Sequence, residues 1–254
     1  MRVVILLVAV VLAVGGAVNA SPAKPVKKNP PLYGWVVVLD SGHGGMDPGA
    51  SGIHDGQRVV EDEYVYDVTL RVRRMIRAKG GLVVMTTTDR TGERNWETFR
   101  VFPDEQTERF VWDGSIVRAG TVGLTKRLRL GNQTSRRYPS HRQAWISIHF
   151  DVRGRGEDDG VRIITPDTEL RLAKSLESSF GNAKRLRDDD PIVESGDRSH
   201  GIRRLFVLSG RNQIKEKVLI ELGNFKNRDD LWRIRNPVVR EAFARAIVQA
   251  LEKY

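Results

Sequence analysis

The 254-residue sequence contains no cysteine. Disulfides are therefore excluded, and so is a lipoprotein anchor, which needs a modified cysteine. Internal repeats and low-complexity tracts are also missing, and the one proline-rich stretch lies near the start. A single catalytic-sized domain is the simplest organisation for a chain of this length. The uninterrupted apolar run Val3–Val14 falls short of the roughly 20 residues that a membrane-spanning helix requires. Acidic residues are outnumbered: 42 Lys and Arg face 32 Asp and Glu, giving a formal charge of +10.

What is present at the start is a three-part pattern: a positive charge at Arg2, an apolar run, and small residues at Ala17 and Ala20. This reads as a secretory signal peptide over 1–20, cut after Ala20, with no stable membrane insertion afterwards. Residues 21–32 (SPAKPVKKNPPL) read as an extended linker, which leaves 33–254 as the folded domain. An exported chain without disulfides points to a bacterial envelope, either the periplasm or beyond it. The basic balance raises the local concentration of anionic polymers, or simply keeps the protein soluble. Exported proteins seldom meet nucleic acid, so cell-wall glycans are the expected polymer partner and nucleic acid is not.

Short β-branched runs alternate with helical periodicity along the rest of the chain. Strands are expected at Trp35–Asp40, Leu82–Thr86, Ala144–Phe150, Val161–Pro166, Leu205–Leu208 and Lys217–Leu222. Helices are expected over Glu61–Lys79, where Val65, Val68, Val72, Met75 and Ile76 recur on one face, and over Leu124–Ser135, Glu169–Phe180 and Val238–Glu252. The segment from Thr87 to Gly120, with aromatics among many charges, has no clear periodicity. The alternation predicts an α/β fold, an open and mostly parallel sheet with helices on both faces. Ligands in such sheets bind outside the carboxyl ends of the strands.

Polar side chains interrupt these apolar elements at their ends. His43 follows the first strand, His149 lies at the end of AWISIHF, Glu221 at the end of KVLIEL, and Glu61 opens the first helix. Such positions are costly for polar groups unless something compensates them. Two imidazoles and two carboxylates at one sheet edge suggest a metal site. Catalytic zinc commonly takes three N/O ligands and leaves a fourth position for water, and the remaining carboxylate then serves as general base. The chemistry implied is metal-assisted amide hydrolysis. The Gly-rich loop SGHGGMDPGASG lacks the Lys-Ser/Thr of a phosphate-binding P-loop. Taken singly, each residue is more often a turn residue, a cap or an ion-pair partner than a ligand. Their joint placement carries the argument.

The segments VVVLDSGHGGMDPGASG (36–52), EDEYVYDVTLRVRRMIRAKGG (61–81), LTKRLRLGN (124–132), ISIHF (146–150), HGIRRLFVL (200–208) and VLIELGNFKNRDDL (218–231) resemble, in order, the zinc-dependent N-acetylmuramoyl-L-alanine amidases of the amidase 3 family. The resemblance implies a phosphorylase/hydrolase-like α/β sheet and cleavage of the amide joining N-acetylmuramic acid to L-alanine in peptidoglycan. It implies Zn2+ as cofactor, with His43, Glu61 and His149 as metal ligands and Glu221 as the catalytic carboxylate. Glu63 competes with Glu61 for the third ligand position, and counting back from the aligned helix favours Glu61. Phe150 and Asp151 stand where the family usually has Asn-Ala, and Asn224 where an aromatic or aliphatic residue is usual. The segment after Thr87 is longer than the family's usual connection; it reads as a decorated surface loop, a groove wall or lid, or a docking surface for an activator. No wall-binding repeat is recognisable, and a monomer is expected. A peptidase acting within the stem peptide and a non-catalytic wall-binding homologue are the competing readings.

Overall fold

The computed structural model describes residues 29–91, 101–166, 170–183, 186, 191–195 and 205–254. The expected leader and most of the linker, together with 200–204 of the HGIRRLFVL segment, lie outside the described residues. In chain order the elements are β1 (Trp35–Ser41), β2 (Ser51–His54), β3 (Gln57–Val60), α1 (Glu61–Ala78), β4 (Leu82–Met85), β5 (Thr87–Asp89), β6 (Glu108–Phe110) and α2 (Thr121–Arg137). They continue with β7 (Arg142–Asp151), β8 (Arg162–Thr165), α3 (Arg171–Gly181), β9 (Ile192–Ser195), β10 (Glu216–Asn224), α4 (Arg228–Arg235) and α5 (Pro237–Lys253).

Six strands form one sheet in the order β4-β1-β7-β10-β8-β9. The first four of these are mutually parallel. β8 runs antiparallel to β10, and β9 runs parallel to β8. The fold is thus the expected mostly parallel α/β sheet, closed on one side by a reversed pair. β1 is buried along its whole length, as a strand covered on both faces must be. Alternate residues divide between two cores. Val37, Leu39, Ile146, Ile148, Val218 and Ile220 pack with α1, α3, α4 and α5. Val38, Trp145 and Leu219 face Leu128 of α2 together with Val207, Leu208 and Ile214.

One expected strand is not a strand. Residues 205–208 turn as a 3-10 helix over Phe206–Leu208. A four-residue apolar run does not fix a period. Here its apolar demand is met by burying Val207 and Leu208 against Trp145, and Asn212 Nδ2 donates to the Val207 carbonyl at 2.8 Å. The periodicity also passes over a β2–β3 hairpin, whose Asp55-Gly56 turn has both φ values positive. The β5–β6 hairpin, β9 and α4 were likewise not expected.

α2 lies so close to the sheet that a Cβ on Gly131 would sit 2.5 Å from Cζ3 of Trp145. Gly131→Ala would gain about 1 kcal/mol of helix propensity. Overpacking against a fully buried indole costs about 1–3 kcal/mol, so the clash prevails. A lower urea midpoint with an unchanged denaturant slope is the expected result; a raised midpoint would show that the interface yields freely.

Candidate metal centre

The site begins where β1 stops pairing. Gly42 N–H donates to the Ile148 carbonyl at 2.9 Å, extending the β1–β7 ladder by one step. His43 then leaves the strand with φ of 61°, a left-handed conformation that few non-glycine residues adopt. The ring of His149 lies directly over Gly42: a Cβ there would be 2.5 Å from it. On the neighbouring strand Glu221 is in register with His149. The three parallel strands β1, β7 and β10 therefore deliver their polar ends to one edge of the sheet, as their pattern predicts.

Glu61 arrives from α1. Its backbone N–H donates to the Ala50 carbonyl at 2.9 Å, while its Oε2 accepts the Ala50 N–H at 2.8 Å and its Oε1 the Phe150 N–H at 3.0 Å. The carboxylate is thereby fixed between the histidines, with Oε2 3.3 Å from His43 Nε2 and Oε1 3.0 Å from His149 Nδ1. The two rings stand nearly perpendicular with centroids 5.1 Å apart. On its far side His43 Nδ1 meets Asp47 Oδ2 at 3.0 Å. One nitrogen or oxygen from each of His43, Glu61 and His149 lies within 4.8 Å of the other two.

Glu63 points elsewhere. Its Oε1 accepts the Glu105 N–H at 2.9 Å, and it belongs with Asp62 and Glu108 to a separate acidic group. Of the two carboxylates the sequence left in competition, Glu61 is the one that faces the imidazoles.

The two site carboxyls are pushed in opposite directions. Burial raises the Glu61 pKa, but the charges of His43 and His149 and the Ala50 hydrogen bond outweigh it and hold the group below its ordinary value. Burial, then the negative charges of Glu61 and Asp151, push Glu221 well above the ordinary carboxylate range. Glu221 Oε2 is buried with no hydrogen-bond partner among the described residues. Paired carboxyls driven apart in this way are suited to different roles.

The departures from the family pattern are structural. Asp151 accepts the Val152 N–H at 2.7 Å and pairs with Arg153 at 3.3 Å, capping the turn after β7. Asn224 is buried; its amide donates to the carbonyls of Arg153 and Asp158 at 3.1 and 2.8 Å, stitching that turn to the end of β10. The segment 101–120 is no surface decoration. Phe102, Glu108, Phe110 and Val117 are buried, Glu108 Oε2 accepts the Gly45 N–H at 2.8 Å, and Met46 N–H donates to the Val117 carbonyl at 2.9 Å. It braces the loop that carries His43. Sequence reasoning did not single out Glu108, Asp47, Asp40 or Arg127. An aspartate ending a fully apolar run was the available signal for Asp40.

Fold and side chains together define a class: α/β proteins that gather imidazole and carboxylate groups at the carboxyl edge of a parallel sheet. Within it, residues 37–253 match the family model described as N-acetylmuramoyl-L-alanine amidase, and the chain belongs to that family. It is similar to the germination-specific N-acetylmuramoyl-L-alanine amidase of Bacillus subtilis (strain 168), 23% identical over 237 residues, covering 88% of this chain and 81% of that one. It is also similar to the probable cell wall amidase LytH of Staphylococcus aureus, 25% identical over 233 residues; the match covers 91% of this chain and spans 62% of that relative's length. Among solved structures, the CwlD amidase of Clostridioides difficile in complex with the GerS lipoprotein shares the fold, with a TM-score of 0.59 at 20% identity over 86% of this chain and 97% of that one.

Gly49 tests how tightly the three side chains are held. It has φ of 68°, and a Cβ there would lie 2.5 Å from Glu61 Oε2 and 2.7 Å from His43 Cδ2. Gly49→Ala should cost about 1–3 kcal/mol from backbone strain alone. It should also displace the His43 imidazole resonances in a nitrogen-detected NMR spectrum. Unmoved His43 signals would show that the ring is not confined as described.

Proposed function

We propose that this chain is an exported zinc-dependent amidase of the cell envelope. It hydrolyses the amide between the lactyl group of N-acetylmuramic acid and L-alanine in peptidoglycan. The observation that carries this reading is the convergence of His43, Glu61 and His149 within 4.8 Å at the carboxyl edge of the sheet. Membership of the amidase family supports the substrate.

The donor set suits zinc. Two imidazole nitrogens and one carboxylate oxygen are one of the ligand sets of catalytic zinc. One such atom from each of the three side chains lies within 4.8 Å of the other two, close enough for one ion to be shared. Bound there, zinc would supply Lewis acidity, polarising an amide carbonyl and acidifying a water molecule. His43, Glu61 and His149 would hold that ion. Asp47 Oδ2, 3.0 Å from His43 Nδ1, is placed to favour the tautomer that keeps the proton on Nδ1, so that Nε2 presents a lone pair. Glu221 Oε2 takes the proton of the attacking water and returns it to the departing L-alanine nitrogen. A carboxyl whose pKa burial raises well above the ordinary range is suited to both transfers.

The remaining assignments follow from this reading. Residues 33–254 form the catalytic domain, preceded by the leader and linker, and the site residues all lie within it. Among the described residues no helix is long and apolar enough to cross a membrane. A cell-envelope location accords with the cell wall amidases to which the chain is similar. The solved structure of a similar amidase in complex with a lipoprotein supports an accessory protein as a further partner.

Digestion of purified sacculi decides between the amidase and a stem peptidase. The expected products are free stem peptides with an L-alanine amino terminus and an intact glycan; peptides cut internally would overturn the assignment. Glu221→Ala should keep its zinc by elemental analysis and lose about 10²–10⁴-fold in turnover. Survival of turnover in that variant removes Glu221 from the mechanism.

A further inference from the structure

The segment LTKRLRLGN (124–132) belongs to the family resemblance, yet it contributes no side chain to the metal centre or the proton transfer. Its Arg127 lies on the sheet-facing side of α2 and is 5% exposed. The guanidinium reaches over the end of β1. Nη1 donates to Asp40 Oδ1 at 2.7 Å and to the Ser41 carbonyl at 2.5 Å, while Nη2 donates to the His43 carbonyl at 2.6 Å. Asp40 is anchored in turn: Ser147 Oγ and Thr86 Oγ1 each donate to it at 2.6 Å. The Phe110 ring lies beside the guanidinium, 5.5 Å from its carbon.

These contacts enclose Gly42, the residue under the His149 ring, and end on His43, whose φ is positive. A non-glycine residue stays in such a conformation only where its surroundings over-determine it. The Gly42 N–H to Ile148 bond fixes the approach to His43. Arg127 fixes the exit.

Building on the metal-centre reading above, we propose that Arg127 is a positioning residue: its forked grip on the Ser41 and His43 carbonyls, anchored by Asp40, sets the backbone from which His43 presents its imidazole to the metal. Lysine does not replace it, because an ammonium carries the charge without the planar fork that spans separate acceptors. Mere compensation of the buried Asp40 charge would need the cation and not the fork. That difference makes the role testable.

Arg127→Lys keeps a cation beside Asp40 and removes the bridge. Full-length parent and variant are compared by chelator competition for zinc, by the visible spectrum of the cobalt(II)-loaded protein, and by melting of the metal-free protein. Zinc affinity should weaken by about 10- to 100-fold, the range for losing an outer contact to a metal ligand. The cobalt bands should shift, and the metal-free melting temperature should stay near that of the parent. Unchanged affinity with an unchanged cobalt spectrum overturns the proposal. Asp40→Asn supplies the contrast, since it removes the charge but keeps an Oδ1 acceptor for Nη1 and leaves both carbonyl contacts. It should keep parental zinc affinity even where its melting temperature falls; a loss equal to that of Arg127→Lys assigns the effect to stability and overturns positioning. Where Arg127→Lys does not fold, Arg127→Gln, which keeps one neutral donor, is judged by the same criteria. A parent protein that binds no zinc refutes the underlying metal-centre reading instead, which distinguishes the two failures.

Discussion

The Glu61 carboxylate is the constraint around which the rest of the structure is arranged. A buried carboxylate costs several kcal/mol in lost hydration unless its lone pairs are met. Here each oxygen is met twice, by one backbone N–H and one imidazole. The two N–H groups come from the loop after β1 and from β7, so α1, that loop and the sheet must dock in one relative position before the charge is satisfied. The same arrangement makes the site electrostatically asymmetric. Glu61 is held ionised by the histidines, and its charge helps to keep Glu221 above its ordinary pKa.

Parallel strands make this convergence possible. Side chains that are far apart along the chain meet because β1, β7 and β10 are adjacent and point the same way, so their carboxyl ends share an edge. Reversing β8 and β9 costs nothing at the site, since those strands lie beyond β10. The two core layers then differ in duty. The α1, α3, α4 and α5 side carries most of the buried apolar volume. The α2 side is thinner and carries the polar groups that hold the strand ends, with Arg127 chief among them.

How much of this was legible follows from the same physics. β1, β7 and β10 were readable because strands buried on both faces must be apolar throughout, and a lone His or Glu at the end of such a run stands out. The preference for Glu61 over Glu63 came from counting back along the helix that resembles the family's, and it left both carboxylates in competition; the hydrogen bond from Glu105 N–H that turns Glu63 away has no local pattern. Direction was not readable, so nothing in VRIITP announced that β8 runs antiparallel. The run LFVL was too short to show a period, and packing decided it. The Asp55-Gly56 turn signal was present in a stretch too polar to read as a hairpin. The pairing of Asp40 with Arg127 joins residues 87 positions apart, and no local pattern encodes such a contact.

The loop from Gly42 to Ala50 illustrates why chemistry and support are read so differently from sequence. Its one proposed donor, His43, is of a residue type chosen by chemistry, and so it is conspicuous. Its rigidity comes from four separate neighbours: β7 through Gly42, α1 through Ala50, α2 through the His43 carbonyl, and the β6 segment through Gly45 and Met46. Most of these contacts end on backbone N–H or carbonyl groups, which every residue possesses, so they leave no signature in the loop itself. A metal-binding constellation needs its side chains held within about 0.5 Å of the working geometry. One left-handed histidine in a glycine-rich loop would not meet that tolerance alone. The long connection through residues 101–120 is therefore best understood as part of the site's framework, because it closes the side of the loop that the sheet does not reach.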